Sequence, residues 1–130
     1  MADLQTTETT AARQRVMIVD NSLDLARAIG ALFRLEDDLE FVGCAQTGAE
    51  ALRSVEQDPP DVLVLDLNLP DCSGFTVLER VRLRTPQVKV IIYTGHAAPH
   101  LATRARQLGA CACVLKGGDF TALVAAIRNA

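Results

Sequence analysis

The run Val62-Leu63-Val64-Leu65-Asp66-Leu67-Asn68-Leu69-Pro70 sets the pattern for the whole chain. Its first four residues are all apolar, which is typical of a β-strand covered on both faces, as in a parallel sheet. Asp66 stands where that strand should end, and Pro70 and Gly74 are expected to shape the loop that follows. Because ligands bind beyond the carboxyl ends of such strands, Asp66 is either a turn residue or part of a functional site.

Five apolar segments of this kind alternate with five segments of helical periodicity. We predict strands over 15–20, 39–46, 61–66, 88–94 and 110–115, and helices over 22–36, 48–56, 74–84, 99–108 and 120–129. This alternation predicts right-handed βαβ units, hence an α/β fold with a parallel sheet and helices on both faces. The second strand is the least apolar, so we expect it at an edge of the sheet.

Local signals support the predicted helices. Ser22, Thr47, Ser73 and Asp119 stand where N-terminal caps are needed, and Gly109 is a plausible C-terminal cap. In the first helix, four apolar residues recur at helical spacing and should form its buried stripe: Leu25, Ile29, Leu32 and Phe33.

Length and composition indicate one globular domain. The 130 residues are 49% hydrophobic and 22% charged, and the net charge of −3 argues against electrostatic binding of nucleic acid. No apolar run reaches the length of a membrane span and no signal peptide is visible, so we expect a cytoplasmic protein. Residues 1–14 are polar and are expected to form a disordered arm before a domain at 15–130.

The cysteines do not suggest a metal site or a disulfide framework. Cys111 and Cys113 form a C-x-C pair, but no second pair of Cys or His has the spacing of zinc ligands. We expect these two, together with Cys44 and Cys72, to be reduced thiols that fill small spaces in the core.

Four of the five predicted strands end in a side chain that can carry chemistry: Asp20, Asp66, Thr94 and Lys116. At one edge of a sheet they would form a pocket with two carboxylates, a hydroxyl and an ammonium group. Carboxylate oxygens suit a hard cation such as Mg²⁺. A carboxylate held beside Mg²⁺ and a lysine can attack a phosphoryl group and carry it as an acyl phosphate.

The same residues carry a resemblance to a known family. Four stretches of the chain, in this order, are similar to the response-regulator receiver domain of two-component signalling: Val16-Met17-Ile18-Val19-Asp20-Asn21, Val64-Leu65-Asp66-Leu67-Asn68-Leu69-Pro70-Asp71-Cys72-Ser73-Gly74, Ile91-Ile92-Tyr93-Thr94-Gly95 and Gly109-Ala110-Cys111-Ala112-Cys113-Val114-Leu115-Lys116. Each stretch alone is a weak signal, whereas all four together are a specific one. The resemblance covers residues 15–129 and implies a flavodoxin-like, doubly wound sheet of order 2-1-3-4-5 with five helices.

The resemblance also implies a role for each residue of the pocket. Asp66 would accept phosphate from a histidine kinase or a histidine phosphotransfer protein, and the chain would not otherwise be an enzyme. Asp20 and Asp66, with the backbone carbonyl of Asn68, would hold Mg²⁺. Thr94 would be the switch hydroxyl, and Lys116 would contact the phosphoryl group.

Two positions depart from the pattern of the family. The second acidic residue after the first strand is replaced by Asn21, which can ligate a cation weakly or through water but brings no charge. We therefore expect reduced Mg²⁺ affinity. Cys113 stands where many receivers have an aromatic residue that moves with the switch hydroxyl, so coupling would run through the loops after Thr94 and Asp66. Tyr93 is expected to be a packing residue. His96 is expected to affect the access of water to the phosphoryl group.

Three functions remain open. The first is a phosphorylation-driven switch whose fourth helix, fifth strand and fifth helix change their partner. The second is a pseudo-receiver, an interaction module with little or no phosphorylation, which Asn21 and Cys113 favour. The third is a small-molecule enzyme or flavin carrier, which the lack of Trp and of a Gly-rich loop disfavours. Because the 130 residues offer no second domain, we expect the output to be a separate protein, a homodimer or a domain lost by truncation.

Overall fold

The computed structural model describes residues 13–95 and 98–130. Its five strands form a single parallel sheet in the order β2-β1-β3-β4-β5, which confirms the predicted fold. The strands are β1 Gln14–Val19, β2 Leu39–Ala45, β3 Val62–Leu65, β4 Lys89–Thr94 and β5 Ala112–Leu115. The helices are α1 Leu23–Phe33, α2 Gly48–Gln57, α3 Gly74–Arg84, α4 Pro99–Gln107 and α5 Phe120–Arg128.

The sheet separates two apolar layers because successive residues of a strand point to opposite faces. In β1, Met17 and Val19 point to a core shared with α2, α3 and α4. Val16 and Ile18 point the other way, to a core shared with α1 and α5. The central strand β3 is buried on both faces over its whole length, as its continuous apolar run predicts. The strand ends are therefore held rigidly at one edge of the sheet.

The predicted caps are found at the helix ends. The side chains of Ser22, Thr47, Ser73 and Asp119 each accept a hydrogen bond from a backbone N–H in the first turn of the helix that follows. Gly109 follows α4 with φ at +103°, a conformation that L side chains rarely adopt, so glycine is suited to this position.

The predicted buried stripe of α1 is wrong for two of its four residues. Leu25 and Leu32 are exposed, whereas Ile29 and Phe33 are buried together with Ala26 and Gly30. The physical reason is the close approach of α1 to β2, because a side chain at Gly30 would collide with the ring of Phe41. The helix therefore turns its small residues toward the sheet, which moves the two leucines outward.

Several boundaries differ from the predictions. β1 begins one residue early, because the N–H of Gln14 donates to the carbonyl of Asp38 at 2.8 Å. The prediction that the disordered arm extends to residue 14 is wrong at Gln14, and for residues 1–12, which lie outside the described part of the chain, the arm stays a prediction. α1 ends at Phe33 instead of 36, because the chain turns there toward β2. Of the described helices, none is both long and apolar enough to cross a membrane.

The four cysteines are free, in agreement with the expected reduced thiols. Cys44, Cys72 and Cys113 are partly buried and pack against the two cores. Cys111 is exposed, so the prediction that it fills the core is wrong. The reason is that β5 begins only at Ala112, which leaves Cys111 in the preceding turn.

Candidate functional site

Three charged residues stand one position beyond the carboxyl ends of their strands: Asp20 after β1, Asp66 after β3 and Lys116 after β5. Backbone hydrogen bonds hold each of them in the sheet. The N–H of Asp66 donates to Val19 at 2.9 Å, and the N–H of Lys116 donates to Thr94 at 2.7 Å. The strand ladder thus continues past the strands and fixes where these side chains begin.

The ammonium group of Lys116 joins the two carboxylates. Its Nζ lies 2.5 Å from Oδ2 of Asp20 and 3.1 Å from Oδ2 of Asp66. Both aspartates are buried, with only 2% and 5% of their surface exposed. Buried charges are costly unless they are paired, and this arrangement pairs one cation with two anions. The group therefore has excess negative charge available for a further cation.

Each carboxylate is also anchored to its own loop. Oδ1 of Asp20 accepts a hydrogen bond from the N–H of Ser22 at 2.8 Å, so the residue that caps α1 also orients the carboxylate. Oδ1 of Asp66 accepts from the N–H of Asn68 at 3.3 Å. The two Oδ2 atoms thus face the lysine, and the two Oδ1 atoms face the loops.

The environment of Lys116 pulls its pKa in two directions. Burial lowers the pKa of this ammonium group, whereas the hydrogen bonds and charges of Asp20 and Asp66 raise it. The net result is a pKa above the ordinary value for lysine, so the group stays protonated at neutral pH. The centre of the Tyr93 ring lies 5.9 Å from Nζ of Lys116. Burial raises the pKa of the Tyr93 hydroxyl. Tyr93 therefore remains neutral and packs beside the site.

The loop between β3 and α3 is closed tightly behind Asp66. The N–H of Gly74 donates to the carbonyl of Leu67 at 2.8 Å, and Asn68 pairs with Ser73 across the loop. A Cβ atom at Gly74 would lie 2.2 Å from the carbonyl oxygen of Asp66, so only glycine fits there. The backbone that carries Asn68 is therefore fixed next to the carboxylate.

Asp71 was not predicted to have a structural role in this loop. Its carboxylate accepts hydrogen bonds from the N–H groups of Gly48 at 2.8 Å and Ala49 at 3.0 Å, at the start of α2. These two bonds lower the pKa of Asp71. The only sequence signal was an acidic residue within a turn, and nothing in the sequence linked it to a helix more than twenty residues earlier.

The remaining predicted residues lie around this group. Thr94 is buried at the end of β4, beside a cavity of about 160 Å³ that is also lined by Ala98, Ala102 and Cys113. Asn21 is exposed in the loop between β1 and α1. His96 lies outside the described residues, so its expected influence on water remains a prediction.

The donor set at this edge fits Mg²⁺ by its chemistry. It offers carboxylate oxygens from Asp20 and Asp66, with the backbone of Asn68 beside them, and hard cations prefer such oxygen ligands. Over 13–95 and 98–130, no three His, Cys, Asp or Glu residues form a group that could hold a metal.

A flavodoxin-like sheet with a lysine joining two carboxylates at its carboxyl edge defines a class of signalling domain. The family model for the response regulator receiver domain matches residues 16–128. The chain therefore belongs to the response regulator receiver domain family.

Similar proteins agree with this assignment. The transcriptional regulatory protein YvfU of Bacillus subtilis is 37% identical over 115 residues, which cover 88% of this chain and 58% of that protein. A protein-glutamate methylesterase/protein-glutamine glutaminase of Caulobacter vibrioides is 35% identical over 85% of this chain and 32% of its own length. The crystal structure of a LuxR-family two-component response regulator from Aurantimonas sp. SI85-9A1 superposes with a TM-score of 0.86 at 28% identity, covering 90% of this chain and 84% of that one.

The chain thus spans about half the length of YvfU and a third of the methylesterase. Receiver domains of this family work with kinases and with output domains, of which DNA-binding domains are one kind. They generally bind Mg²⁺ at the phosphorylation site. Most are not enzymes themselves, and where a relative is an enzyme, a separate domain carries that activity.

Proposed function

We propose that this receiver domain accepts a phosphoryl group on Asp66 from a histidine kinase or a histidine phosphotransfer protein. The observation that carries the proposal is the position of Lys116, whose ammonium group lies within 3.1 Å of Asp66 and in contact with Asp20. A lysine placed between two buried carboxylates offsets the charge that would otherwise repel an incoming phosphoryl group.

The reaction is a displacement at phosphorus. A carboxylate oxygen of Asp66 attacks the phosphorus atom of a phosphohistidine, and a new P–O bond forms while the P–N bond breaks. The bonding electron pair remains with the imidazole nitrogen, and Asp66 becomes an acyl phosphate. Hydrolysis reverses the charge change: water attacks phosphorus, the bond between phosphorus and the Asp66 oxygen breaks with its electron pair returning to the carboxylate, and inorganic phosphate is released with a proton.

Asp20, Asp66 and the backbone carbonyl of Asn68 are the residues that we propose would hold Mg²⁺, and Asn21 would contribute weakly or through water. When bound, the ion supplies positive charge that offsets the phosphoryl oxygens. Lys116 contacts one of these oxygens. The hydroxyl of Thr94, buried at the neighbouring strand end, donates a hydrogen bond to another.

The added charge explains how phosphorylation would change the binding of a partner. The acyl phosphate carries up to two negative charges where the carboxylate of Asp66 carried one, and Thr94 and Lys116 move toward it. Both residues belong to or adjoin the surface formed by α4, β5 and α5, so that surface changes its preference for a cytoplasmic partner, an output domain or a second copy.

The proposal is tested by the intact mass of the protein after incubation with acetyl phosphate and Mg²⁺. We expect one phosphate adduct on the wild type and on Asp71→Ala, a matched control in the same loop, and none on Asp66→Ala. An adduct that persists in Asp66→Ala, or no adduct on the wild type at high Mg²⁺, would rule out Asp66 as the acceptor.

A pseudo-receiver is the second candidate, and the exposed amide of Asn21 in place of a carboxylate favours it. Titration with Mg²⁺ separates the two candidates when wild type is compared with Asn21→Asp. For a working but metal-weak site, we expect wild type to bind Mg²⁺ and Asn21→Asp to bind it more tightly, because one further charge faces the ion. If neither protein binds Mg²⁺ nor acquires phosphate, the chain acts as an interaction module.

A further inference from the structure

A groove of about 550 Å³ lies between α3 and α4, at the end of the domain away from Asp66. The helix α3 begins at Gly74, against the carbonyl of Asp66, and runs away from that edge of the sheet. The groove is formed by the last turns of both helices. Its lining residues are Glu79, Arg80, Arg82, Leu83, Gln107 and Leu108.

The two helices that form this groove are strongly basic, because α3 and α4 together carry five arginines and a single acidic residue, Glu79. They belong to a longer stretch, residues 80–118, that contains seven of the thirteen basic residues and no Asp or Glu, although its two lysines, Lys89 and Lys116, do not line the groove. Because the net charge is −3, the rest of the chain carries −10. Basic residues in the last turn of a helix interact favourably with the helix dipole. This effect does not explain why 39 consecutive residues, 80–118, include no Asp or Glu. The segregation therefore points to electrostatic recognition of a partner.

Some of these cations already have local roles. Arg82 donates to the carbonyl of Pro86 at 2.8 Å, and Arg84 forms an ion pair with Glu56 at 2.7 Å. Arg80 is exposed in the middle of α3 and has no ion pair within the described residues. The guanidinium of Arg104 stacks on the ring of Phe75, 5.4 Å from its centre, and also has no anionic partner there. Arg80, which lines the groove, is thus available to an external anion, whereas Arg104 is not among the residues that line it.

The groove also presents an apolar contact. Leu83 is 82% exposed, the highest value for a large hydrophobic residue in the part of the chain that the structure describes. One exposed leucine is unremarkable alone. Here it lines the groove together with the partly buried Leu108, beside Arg80, which has no ion pair within the described residues. A binding segment would therefore gain from carrying both carboxylates and an apolar side chain.

We propose that this groove docks an acidic segment of a partner protein, in which a carboxylate pairs with Arg80 and an apolar side chain packs on Leu83. A polynucleotide fits less well, because Glu79 lines the groove and the rest of the chain repels a long polyanion. The groove lies away from Asp66, so the docking does not depend on phosphorylation of that residue.

The probe is a labelled amphipathic peptide made of Glu, Leu and Ala, followed by fluorescence anisotropy at low salt. We expect saturable binding that weakens as salt is added. Arg80→Glu and Leu83→Ser should each weaken it by on the order of tenfold, as central contacts of an interface do. Matched controls are Arg27→Glu on α1 and Leu35→Ser, which removes a leucine that is 75% exposed on the other layer. Both controls should bind like the wild type.

Several results would overturn the proposal. These are no binding at low salt, equal binding of a peptide with Ser in place of Leu, tighter binding of an oligonucleotide of the same charge, or equal loss in the controls. Self-association of the protein alone that Arg80→Glu abolishes would assign the groove to a second copy instead. All four variants should still acquire phosphate from acetyl phosphate if the wild type does, which separates this test from that of Asp66.

Discussion

The two edges of the sheet both carry paired charges, but in opposite surroundings. At the carboxyl edge, Asp20 and Asp66 are buried and share Lys116. At the amino edge, Arg15 forms an ion pair with Asp58 at 2.8 Å, and its N–H donates to the carboxylate of Asp61 at 2.8 Å. Both of these aspartates are exposed to solvent.

The difference separates charges that stabilise the fold from charges kept for chemistry. A solvated ion pair costs little to form and contributes little. A buried group of three charges pays a large desolvation penalty, and apolar residues of the same size would often stabilise the fold as well or better. The buried charges at the carboxyl edge therefore make the fold less stable than apolar residues would. Such a cost is expected at a site whose charges act on a ligand.

The largest effect is expected from Lys116→Met. It would leave two buried carboxylates close together without their cation, and we expect the free energy of unfolding to fall by about 3 kcal/mol at pH 7. Urea denaturation measures this change.

The control is Lys89→Met, which removes the exposed lysine at the amino end of β4. We expect a change of less than about 0.5 kcal/mol, as for surface substitutions in general. Equal losses in the two variants would contradict the claim that the two edges differ.

The second largest effect is expected from a substitution of Asp66, and it raises the free energy of unfolding instead of lowering it. Asp66→Asn removes one of two anions from a buried group with a single cation, so we expect the free energy of unfolding to rise by about 1 kcal/mol. The amide can still accept a hydrogen bond from Lys116. At the amino edge, Asp61→Asn should not stabilise, because its carboxylate is solvated. A fall in stability for Asp66→Asn, measured by urea denaturation, would mean that Asp66 stabilises the fold.

The sequence predicted the architecture and the carboxyl edge well, for a physical reason. A side chain that follows an apolar strand must lie at the strand's end, so Asp20, Asp66 and Lys116 could be placed together without coordinates. Helix caps were equally predictable, because a cap acts within three residues.

Features set by contacts between distant segments were not predictable. The rotation of α1 depends on the fit of Gly30 under Phe41, which periodicity alone does not contain, and Leu25 was therefore placed in the core wrongly. The bond from Gly48 to Asp71 spans 23 positions of the chain, so no local pattern indicated it.

A smaller effect is expected from Arg15→Met at the amino edge. Its guanidinium bonds Asp58 and the carbonyl of Pro59 at 3.0 Å, and the pair is open to solvent. We expect a loss of less than about 1 kcal/mol, which shrinks further in high salt because ions screen exposed pairs. Urea denaturation at low and high ionic strength measures it. A loss as large as that of Lys116→Met, unaffected by salt, would show that both edges stabilise the fold alike.

The smallest effect concerns Asp71. Its carboxylate lies near the site but is exposed, whereas the carboxylates of Asp20 and Asp66 are buried. Hydrogen bonds from Gly48 and Ala49 hold its pKa below the ordinary value of 3.8. Since the folded state lowers this pKa, its contribution to stability is complete above 3.8 and is lost as the pH falls through the folded value.

We expect the carboxyl resonance of Asp71 to titrate below pH 3.8 in an NMR experiment, with the amides of Gly48 and Ala49 following the same midpoint. In Asp71→Asn these amides should no longer titrate there, which identifies the carboxylate as the cause. A midpoint at or above 3.8 would mean that the bonds to α2 are not kept in solution. The loop behind Asp66 would then be held by the contacts of Gly74 and Asn68 without the bonds to α2.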